Sequence, residues 1–176
     1  MIDEHPSKAL KFCPFCGSPN FFWDGIKAHN CRDCKKRLYT NAAGAVIALI
    51  ENEKKETLFT LRKYEPAKGK LDFPGGFIDI GETAEHAVIR EVKEEVNLDV
   101  DKVSFFGTFP NTYIFKDFMY FTIDIVFRCS VKNLEQIAAD DDVEGVVFKN
   151  IMEVDLNEVG FTSVKNVIEA LRKERN

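Results

Sequence analysis

No apolar stretch in this chain is long enough to cross a bilayer: the longest, Ala42 to Ile50, falls far short of the roughly 20 residues a spanning helix needs. The opening residues, MIDEHPSKALKF, hold no apolar segment of the kind a secretory leader carries, so the expected location is the cytoplasm with no membrane partner. Internal repeats and low-complexity tracts are also missing, which excludes repeat arrays and disordered spacers. Nor is there an excess of positive charge. The 176 residues carry 24 Lys and Arg against 29 Asp and Glu, a net charge of −5, which argues against bulk electrostatic binding of nucleic acid and leaves only a local basic patch for it. What remains is the length and composition of one ordinary globular domain with a small appendage.

Cysteine is scarce and unevenly placed. Four of the five fall in two pairs, Cys13-Pro-Phe-Cys16 and Cys31-Arg-Asp-Cys34. Two Cys-x-x-Cys knuckles set four thiolates at the corners of a tetrahedron, the donor set of a closed structural Zn²⁺ site. Gly17 permits the first tight knuckle turn. Disulfides are disfavoured in a reducing compartment, and a redox Cys-x-x-Cys leaves the second pair without a purpose. His29 beside the second knuckle reads as a surface residue, and Cys129, inside an apolar strand, as a buried thiol without chemistry. Between the knuckles, Asn20 to Lys27 reads as two short strands around an Asp24-Gly25 turn. The segment Phe12 to Tyr39 thus resembles a zinc ribbon, too small to fold without its metal. Its Phe21, Phe22 and Trp23 are read first as minimal core or docking surface. The other reading is a base-stacking platform with Lys27, Arg32, Lys35, Lys36 and Arg37 as phosphate contacts.

The chemistry concentrates between Phe73 and Leu98, FPGGFIDIGETAEHAVIREVKEEVNL. From Thr83 to Val96 nothing breaks a helix, and on it positions 91, 94 and 95 share a face. Glu91, Glu94 and Glu95 therefore converge, an arrangement that repels itself unless a cation resolves it. Hard oxygen ligands select Mg²⁺ or Mn²⁺, ions that usually share their coordination with substrate phosphates. Counting from Gly76, five residues lead to Glu82 and seven more to Arg90-Glu91, followed by Val92, Lys93, Glu94-Glu95, Val96, Asn97 and Leu98. This spacing resembles the Nudix box, with Asn97 where the family pattern has Gly. Asn is the next most tolerant residue in the left-handed conformation that closes a helix, so the departure is expected to be nearly silent.

The resemblance implies an α/β fold, the Nudix α/β/α sandwich with a mixed sheet, over residues 40–176, preceded by the ribbon over 1–39. The patterning agrees. Ala42 to Glu51 reads as a central strand, Thr57 to Lys63 as another, and Lys102 to Thr108, Thr112 to Phe115 and Phe118 to Cys129 as further sheet with a turn at Lys116-Asp117. A short helix is expected over Leu134 to Ala139, a last strand over Val143 to Lys149, and a core-packing helix after a cap at Thr162-Ser163. The implied activity is metal-dependent hydrolysis of a pyrophosphate bond in a nucleoside diphosphate linked to another moiety. The implied Mg²⁺ or Mn²⁺ site comprises Glu91, Glu94, Glu95 and the Gly76 carbonyl, with Glu82 counted among its metal residues. Glu82 is either an assistant through water or an acid placed by the helix dipole. Arg90 is expected to orient the acids by pairing with Glu94 one turn on. Glu144 and the cluster Asp140-Asp141-Asp142 are the later-loop candidates for the general base. Arg62, Lys68 and Lys70 are candidate phosphate contacts, and Phe77, Phe109 and Tyr113 candidate stacking partners for a base or ribose.

A ribbon directly before a Nudix domain resembles the bacterial NADH pyrophosphatases. That subfamily, however, carries Ser-Gln-Pro-Trp-Pro-Phe-Pro-x-Ser after the box, and Phe106 to Tyr113, FGTFPNTY, does not match it. NADH or NAD and ADP-ribose therefore stand side by side as substrates. A non-catalytic nucleotide sensor using its ribbon to bind nucleic acid is the alternative, and hydrolysis of a nucleotide cap on RNA a third reading. The intact glutamates and the lack of a helix-turn-helix segment speak against the sensor. A homodimer is an expectation from resemblance alone.

Overall fold

The computed structural model describes residues 5–141 and 143–175. Asp142, one of the later-loop acids, lies outside the described residues. The chain divides into two compact units, one running to Ala42 and including 113–121, the other comprising 43–112 and the residues from Thr122 onward.

The first unit begins with a short helix, α1 (Pro6–Ala9), and continues as a three-stranded antiparallel sheet of β1 (Phe21–Trp23), β2 (Ala28–Cys31) and β3 (Arg37–Tyr39). The β1–β2 turn is held by Asp24, whose Oδ1 accepts the N–H groups of Ile26 (2.9 Å), Lys27 (2.9 Å) and Ala28 (3.1 Å). Those donors hold its carboxyl well below the usual carboxylate range. Phe21 and Trp23 face inward with His29, whose ring stacks on Phe21 at 4.9 Å and tilts against Trp23 at 5.0 Å. His29 is fully buried. The expectation of a surface residue is corrected here: on a strand this short, His29 shares its face with Cys31, so it points into the small core. Burial pushes its pKa down. His5 closes this side, edge-on to Trp23 and to Phe121 at 5.6 Å each.

In the second unit, β4 (Ala43–Leu49) pairs in parallel with β8 (Phe118–Val131), which in turn borders β7 (Val100–Phe115). A second group sets β5 (Thr57–Arg62) between β6 (Leu71–Asp72) and β9 (Val143–Lys149), antiparallel to both. Alternation sorts the side chains between two helices. Val46, Ala48 and Ile50 of the β4 stretch join Leu58 and Phe127 against Ala87, Val88, Val92 and Val96 of α2 (Ala84–Val96). Ile47 and Leu49 join Phe59 and Val126 against Val164, Val167, Ile168 and Leu171 of α3 (Thr162–Arg175). This is the α/β/α layering with a mixed sheet.

Several expected elements differ. The two segments Lys102–Thr108 and Thr112–Phe115 are one strand of 16 residues, because Pro110 sits on the sheet's outer strand, where a missing N–H breaks no internal ladder. The turn after it places Lys116 and Asp117 at φ 48° and 60°, the two left-handed positions of a tight hairpin turn. Leu134 to Ala139 is no helix. Asn133 Oδ1 accepts the Glu135 N–H at 2.8 Å, and the N–H groups of Ala138 and Asp140 donate to Val96 O (3.2 Å) and Glu95 O (3.0 Å). The segment's donors thus satisfy the open end of α2 instead of building a helix. At the last helix, Thr162 is the first helical residue and not its cap.

Helix α2 is closed at both ends: Thr83 is its cap and not its first residue, with Oγ1 accepting the His86 N–H at 3.3 Å, and Asn97 adopts the left-handed conformation the sequence predicts, φ 53°, ψ 31°. Asn97 also donates from Nδ2 to Gln136 O at 3.2 Å. Asn97→Gly is expected to leave stability within about 0.5 kcal/mol, whereas Asn97→Ala should cost about 1 kcal/mol, from the left-handed strain of a Cβ. Thermal unfolding of the two variants beside the native chain checks this, and an Ala variant as stable as the native chain contradicts it.

Candidate functional site

The glycine turn is set in place by β4. Val46 N–H donates to Gly76 O at 2.8 Å, Ala48 N–H to Pro74 O at 2.8 Å, and Ile78 N–H to Gly44 O at 3.1 Å. Residues 74–78 therefore run along the free side of β4, which is an end strand of its sheet and not the central one expected, and their backbone groups pair with its open edge. Gly75 has φ +152°, and a Cβ there would lie 2.0 Å from Val46 O, so only glycine fits. A Cβ on Gly76 would meet Glu91 Oε1 at 2.5 Å. The bare backbone of Gly76 is thus the floor on which the Glu91 carboxylate rests. One turn on, the nearly buried Glu95 accepts the Gly75 N–H through Oε2 at 2.9 Å.

Arg90 gathers the remaining acids. Its Nε and one terminal nitrogen donate to the two oxygens of Glu82 at 3.0 and 2.9 Å. The other terminal nitrogen donates to Glu91 Oε1 (2.8 Å) and Glu94 Oε2 (2.9 Å), while Phe77 O accepts at 3.0 Å from the nitrogen that also serves Glu82. The pairing with Glu94 is the one the sequence predicts. These carboxylates drive the Arg90 pKa up, and Arg90, together with the Asp79 N–H, draws the Glu82 pKa down. Both Glu82 oxygens are engaged, and Oε2 also accepts the Asp79 N–H at 3.1 Å. Glu94 is the most exposed of the three acids bonded to Arg90, with 48% of its side-chain surface accessible.

An all-oxygen set of four glutamates against one guanidinium fits a hard divalent cation in charge and donor type. The Gly76 carbonyl uses one lone pair on Val46 N–H and keeps a second. Among the described residues, however, only the four cysteines bring three or more ligand atoms within 4.8 Å of one another. Glu91 and Glu94 must turn partly away from Arg90 to share an ion.

The later acids fall into place around α2. Asp140 is tied by its N–H to Glu95 O, and Asp141 is exposed beside it. Glu144 is exposed on β9 between Val143 and Gly145, which pair with Arg62 and Leu61. The candidate substrate contacts scatter. Arg62 donates to Pro66 O (2.8 Å) and Asp72 Oδ2 (3.2 Å) and lies 4.9 Å over the Phe161 ring. Lys70 donates to Asn157 O at 3.0 Å, and Lys68 is exposed on the loop. Phe77 is half exposed beside the Arg90 contact at its carbonyl. Phe109 stacks on Phe106 at 6.2 Å against the α3 core. Tyr113 stacks on Tyr120 at 5.5 Å and belongs to the first unit.

The sequence reading missed a buried polar group behind the glycine turn. Asp124 accepts from Thr122 Oγ1 at 2.8 Å, and burial pushes its pKa up. Burial also pushes the Asp72 carboxyl up to about 6, against the pull of Arg62. The signal was present, as a charged residue in the middle of the apolar run FTIDIVF.

In the first unit, Cys13 Sγ and Cys34 Sγ are 3.7 Å apart, as are Cys16 Sγ and Cys31 Sγ. A tetrahedron with metal–sulfur bonds of about 2.3 Å has edges of about 3.8 Å. The two knuckles are built alike: the Cys13 and Cys31 N–H groups donate to Ser18 O (2.9 Å) and Lys36 O (3.0 Å), and Gly17 and Lys35 both take positive φ, 72° and 61°. The cysteine tetrad is therefore a preformed metal cradle. Burial pushes the fifth thiol, Cys129, up to about 12.

A NUDIX domain profile matches residues 41–171. Among curated proteins, an ADP-ribose pyrophosphatase of Methanocaldococcus jannaschii is 42% identical over 118 residues, 66% of this chain and 68% of its own length. The NAD-capped RNA hydrolase NudC of Vibrio atlanticus is 32% identical over 120 residues, 68% of this chain and 44% of its own. This chain thus spans less than half the length of that relative. Among solved structures, a NUDIX hydrolase from Nitrosomonas europaea superposes with a TM-score of 0.70 at 22% identity, covering 94% of this chain and 92% of its own. No helix is long and apolar enough to cross a membrane among the described residues.

Asp72 sets a testable pH dependence. Its folded pKa of about 6 lies above the unfolded value of about 3.9, so between those values the folded state holds a proton the unfolded state has lost. Its contribution to stability therefore falls as pH rises through that window, by about 3 kcal/mol in all, and is level on either side. Denaturant titrations from pH 4 to 7 should show Asp72→Asn gaining on the native chain as pH rises. A constant difference between the two across that range contradicts the assignment.

Proposed function

The chain belongs to the Nudix family, and from that premise we propose that it hydrolyses the pyrophosphate bond of a nucleoside diphosphate joined to a second moiety. ADP-ribose comes first, with NADH or NAD beside it. The observation that carries the reading is the set of glutamates gathered on Arg90 beside Gly76. The order of substrates is supported by the relative that acts on ADP-ribose, which is matched over 68% of its length. It is supported too by the segment Phe106 to Tyr113, which lacks the signature of the NADH enzymes.

The Gly76 carbonyl, Glu91, Glu94 and Glu95 would hold Mg²⁺ or Mn²⁺, with Glu82 acting from behind through Arg90. Such an ion neutralises pyrophosphate oxygens and lowers the pKa of a bound water. The side chains do the remaining work. Arg90 fixes the direction of Glu91 and Glu94 and lowers their mutual repulsion until an ion arrives. Gly75 and Gly76 let the turn lie directly against the Val46 carbonyl and the Glu91 carboxylate, with no Cβ between them. Glu144, with Asp140 and Asp141, is the proposed acceptor of the attacking water's proton, since carboxylates committed to a cation make poor bases. Cys13, Cys16, Cys31 and Cys34 would hold a structural Zn²⁺ in a ribbon over residues 1–39, with the hydrolase domain over 40–176. A nucleotide sensor without turnover is the second reading, favoured by one observation: Arg90 already pairs with both Glu91 and Glu94.

Incubation with ADP-ribose, NADH, NAD⁺, diadenosine polyphosphates, CoA and nucleoside triphosphates under Mg²⁺ or Mn²⁺ decides between these, with products separated by chromatography. AMP and ribose 5-phosphate are expected from ADP-ribose. Glu94→Gln should lower turnover by about 100-fold or more at an unchanged thermal midpoint, and Glu144→Gln should do so with metal affinity intact. Full turnover in Glu94→Gln sinks the metal reading. No product from any substrate leaves the sensor.

A further inference from the structure

The outward face of the ribbon sheet differs from its inner one. The register pairs Phe22 with Asn30 and Asn30 with Arg37, and Ala28 with Tyr39. Alternation along each strand then puts Phe22, Asn30, Arg37 and Tyr39 on the face opposite Phe21, Trp23, His29 and Cys31. Phe22 and Tyr39 keep 43% and 49% of their surface exposed. Each ring carries its own cation: the Arg32 guanidinium lies 5.1 Å over Phe22, and Arg37 and Lys27 lie 4.9 and 5.9 Å from the Tyr39 centroid. Phe15 and Lys36 repeat the pairing at 4.9 Å on the first knuckle. Asp24 holds Arg37 in place by an ion pair.

Charge singles out the same unit. Residues 1–42 hold seven Lys and Arg against four Asp and Glu, a net +3, while 43–176 hold 17 against 25, a net −8. A zinc tetrathiolate would itself carry a charge of about −2 and leave the ribbon still positive.

We infer that this face binds a single-stranded polynucleotide, with unpaired bases stacking on Phe22 and Tyr39 and backbone phosphates meeting Arg32, Arg37, Lys27 and Lys36. Phe22 and Tyr39 stand on the outer strands, two residues apart in register, so their backbone positions are about 12 Å apart on this face. A flat face with rings at that spacing suits splayed bases, and duplex bases are already stacked and closed to it. The cations complement a polyanion on a unit whose charge is opposite to that of the rest of the chain. The aromatic pair that does this is Phe22 with Tyr39, while Phe21 and Trp23 are used inside. The inference goes beyond the hydrolase reading and does not depend on it.

The full chain is titrated into a fluorescein-labelled oligouridylate of about a dozen nucleotides, and anisotropy is followed from low to moderate salt. Binding that weakens with salt is expected. The double variant Phe22→Ala/Tyr39→Ala should bind at least about tenfold more weakly, with bound zinc, thermal midpoint and ADP-ribose turnover all at native values. Annealing the probe to oligoadenylate should weaken binding by at least about tenfold. No binding at low salt, equal binding by the double variant, or equal binding of the duplex overturns the inference. Oligouridylate binding by a chain that hydrolyses no nucleotide would leave this inference standing and remove the hydrolase reading alone.

Discussion

The hydrogen bond from Val46 N–H to Gly76 O is the contact on which the rest of the second unit depends. It fixes a glycine turn along β4 at a separation that only a residue without Cβ tolerates. With the turn in place, the position of α2 follows. Val88, Val92 and Val96 press the helix onto the β4 layer through one face, and the adjoining face then delivers Glu91 to Gly76 and Glu95 to Gly75. Hydrophobic burial supplies the force, and the glycines set how closely the turn lies on β4 and how closely the Glu91 carboxylate rests on the turn. A side chain at 75 would push the turn off the β4 backbone, and one at 76 would displace the Glu91 carboxylate.

Bringing four carboxylates to one end of a helix costs free energy, and Arg90 offsets it with five donors in a planar fork. Lysine could not serve four partners at once, because a point charge cannot hold two oxygens of Glu82 while reaching forward to Glu91 and Glu94. The same fork also bonds the Phe77 carbonyl, so the loop after the glycines is tied to the helix that follows it. One residue therefore links charge balance to loop geometry. That coupling explains why the acids are held ready without collapsing onto their own backbone.

Much of this was legible in the sequence, because the determinants are local. The α2 face, its Asn97 close and the doubled knuckles each need only a few residues in a fixed spacing. What escaped depends on distant partners. Leu134 to Ala139 has helical composition, yet its N–H groups are taken by carbonyls of α2 far back in the chain. His29 is polar, yet a strand of four residues must place it beside Cys31. Pro110 reads as a break until it is known to lie on an outer strand. Glu82 could be read as an acid placed by the helix dipole, and its two bonds to Arg90 show a partner that the spacing alone did not name.

The two candidate metal centres divide along donor hardness. Four cysteine sulfurs within 4.8 Å of one another, two pairs of them 3.7 Å apart, form a soft, closed cradle that divalent zinc suits and that hard ions do not. The box offers only oxygens, which any divalent ion accepts and which zinc, by the general order of affinities, would bind more tightly than magnesium. Selectivity at the box must then come from elsewhere. It is consistent with a site that keeps its acids paired to Arg90 and binds its ion weakly, because a loosely held ion exchanges with the abundant one in solution. A rigid, empty carboxylate cage would trap the tighter-binding metal. For any cation that these acids take up, the free energy that the Arg90 pairs contribute to the ion-free state would be subtracted from what the cation gains.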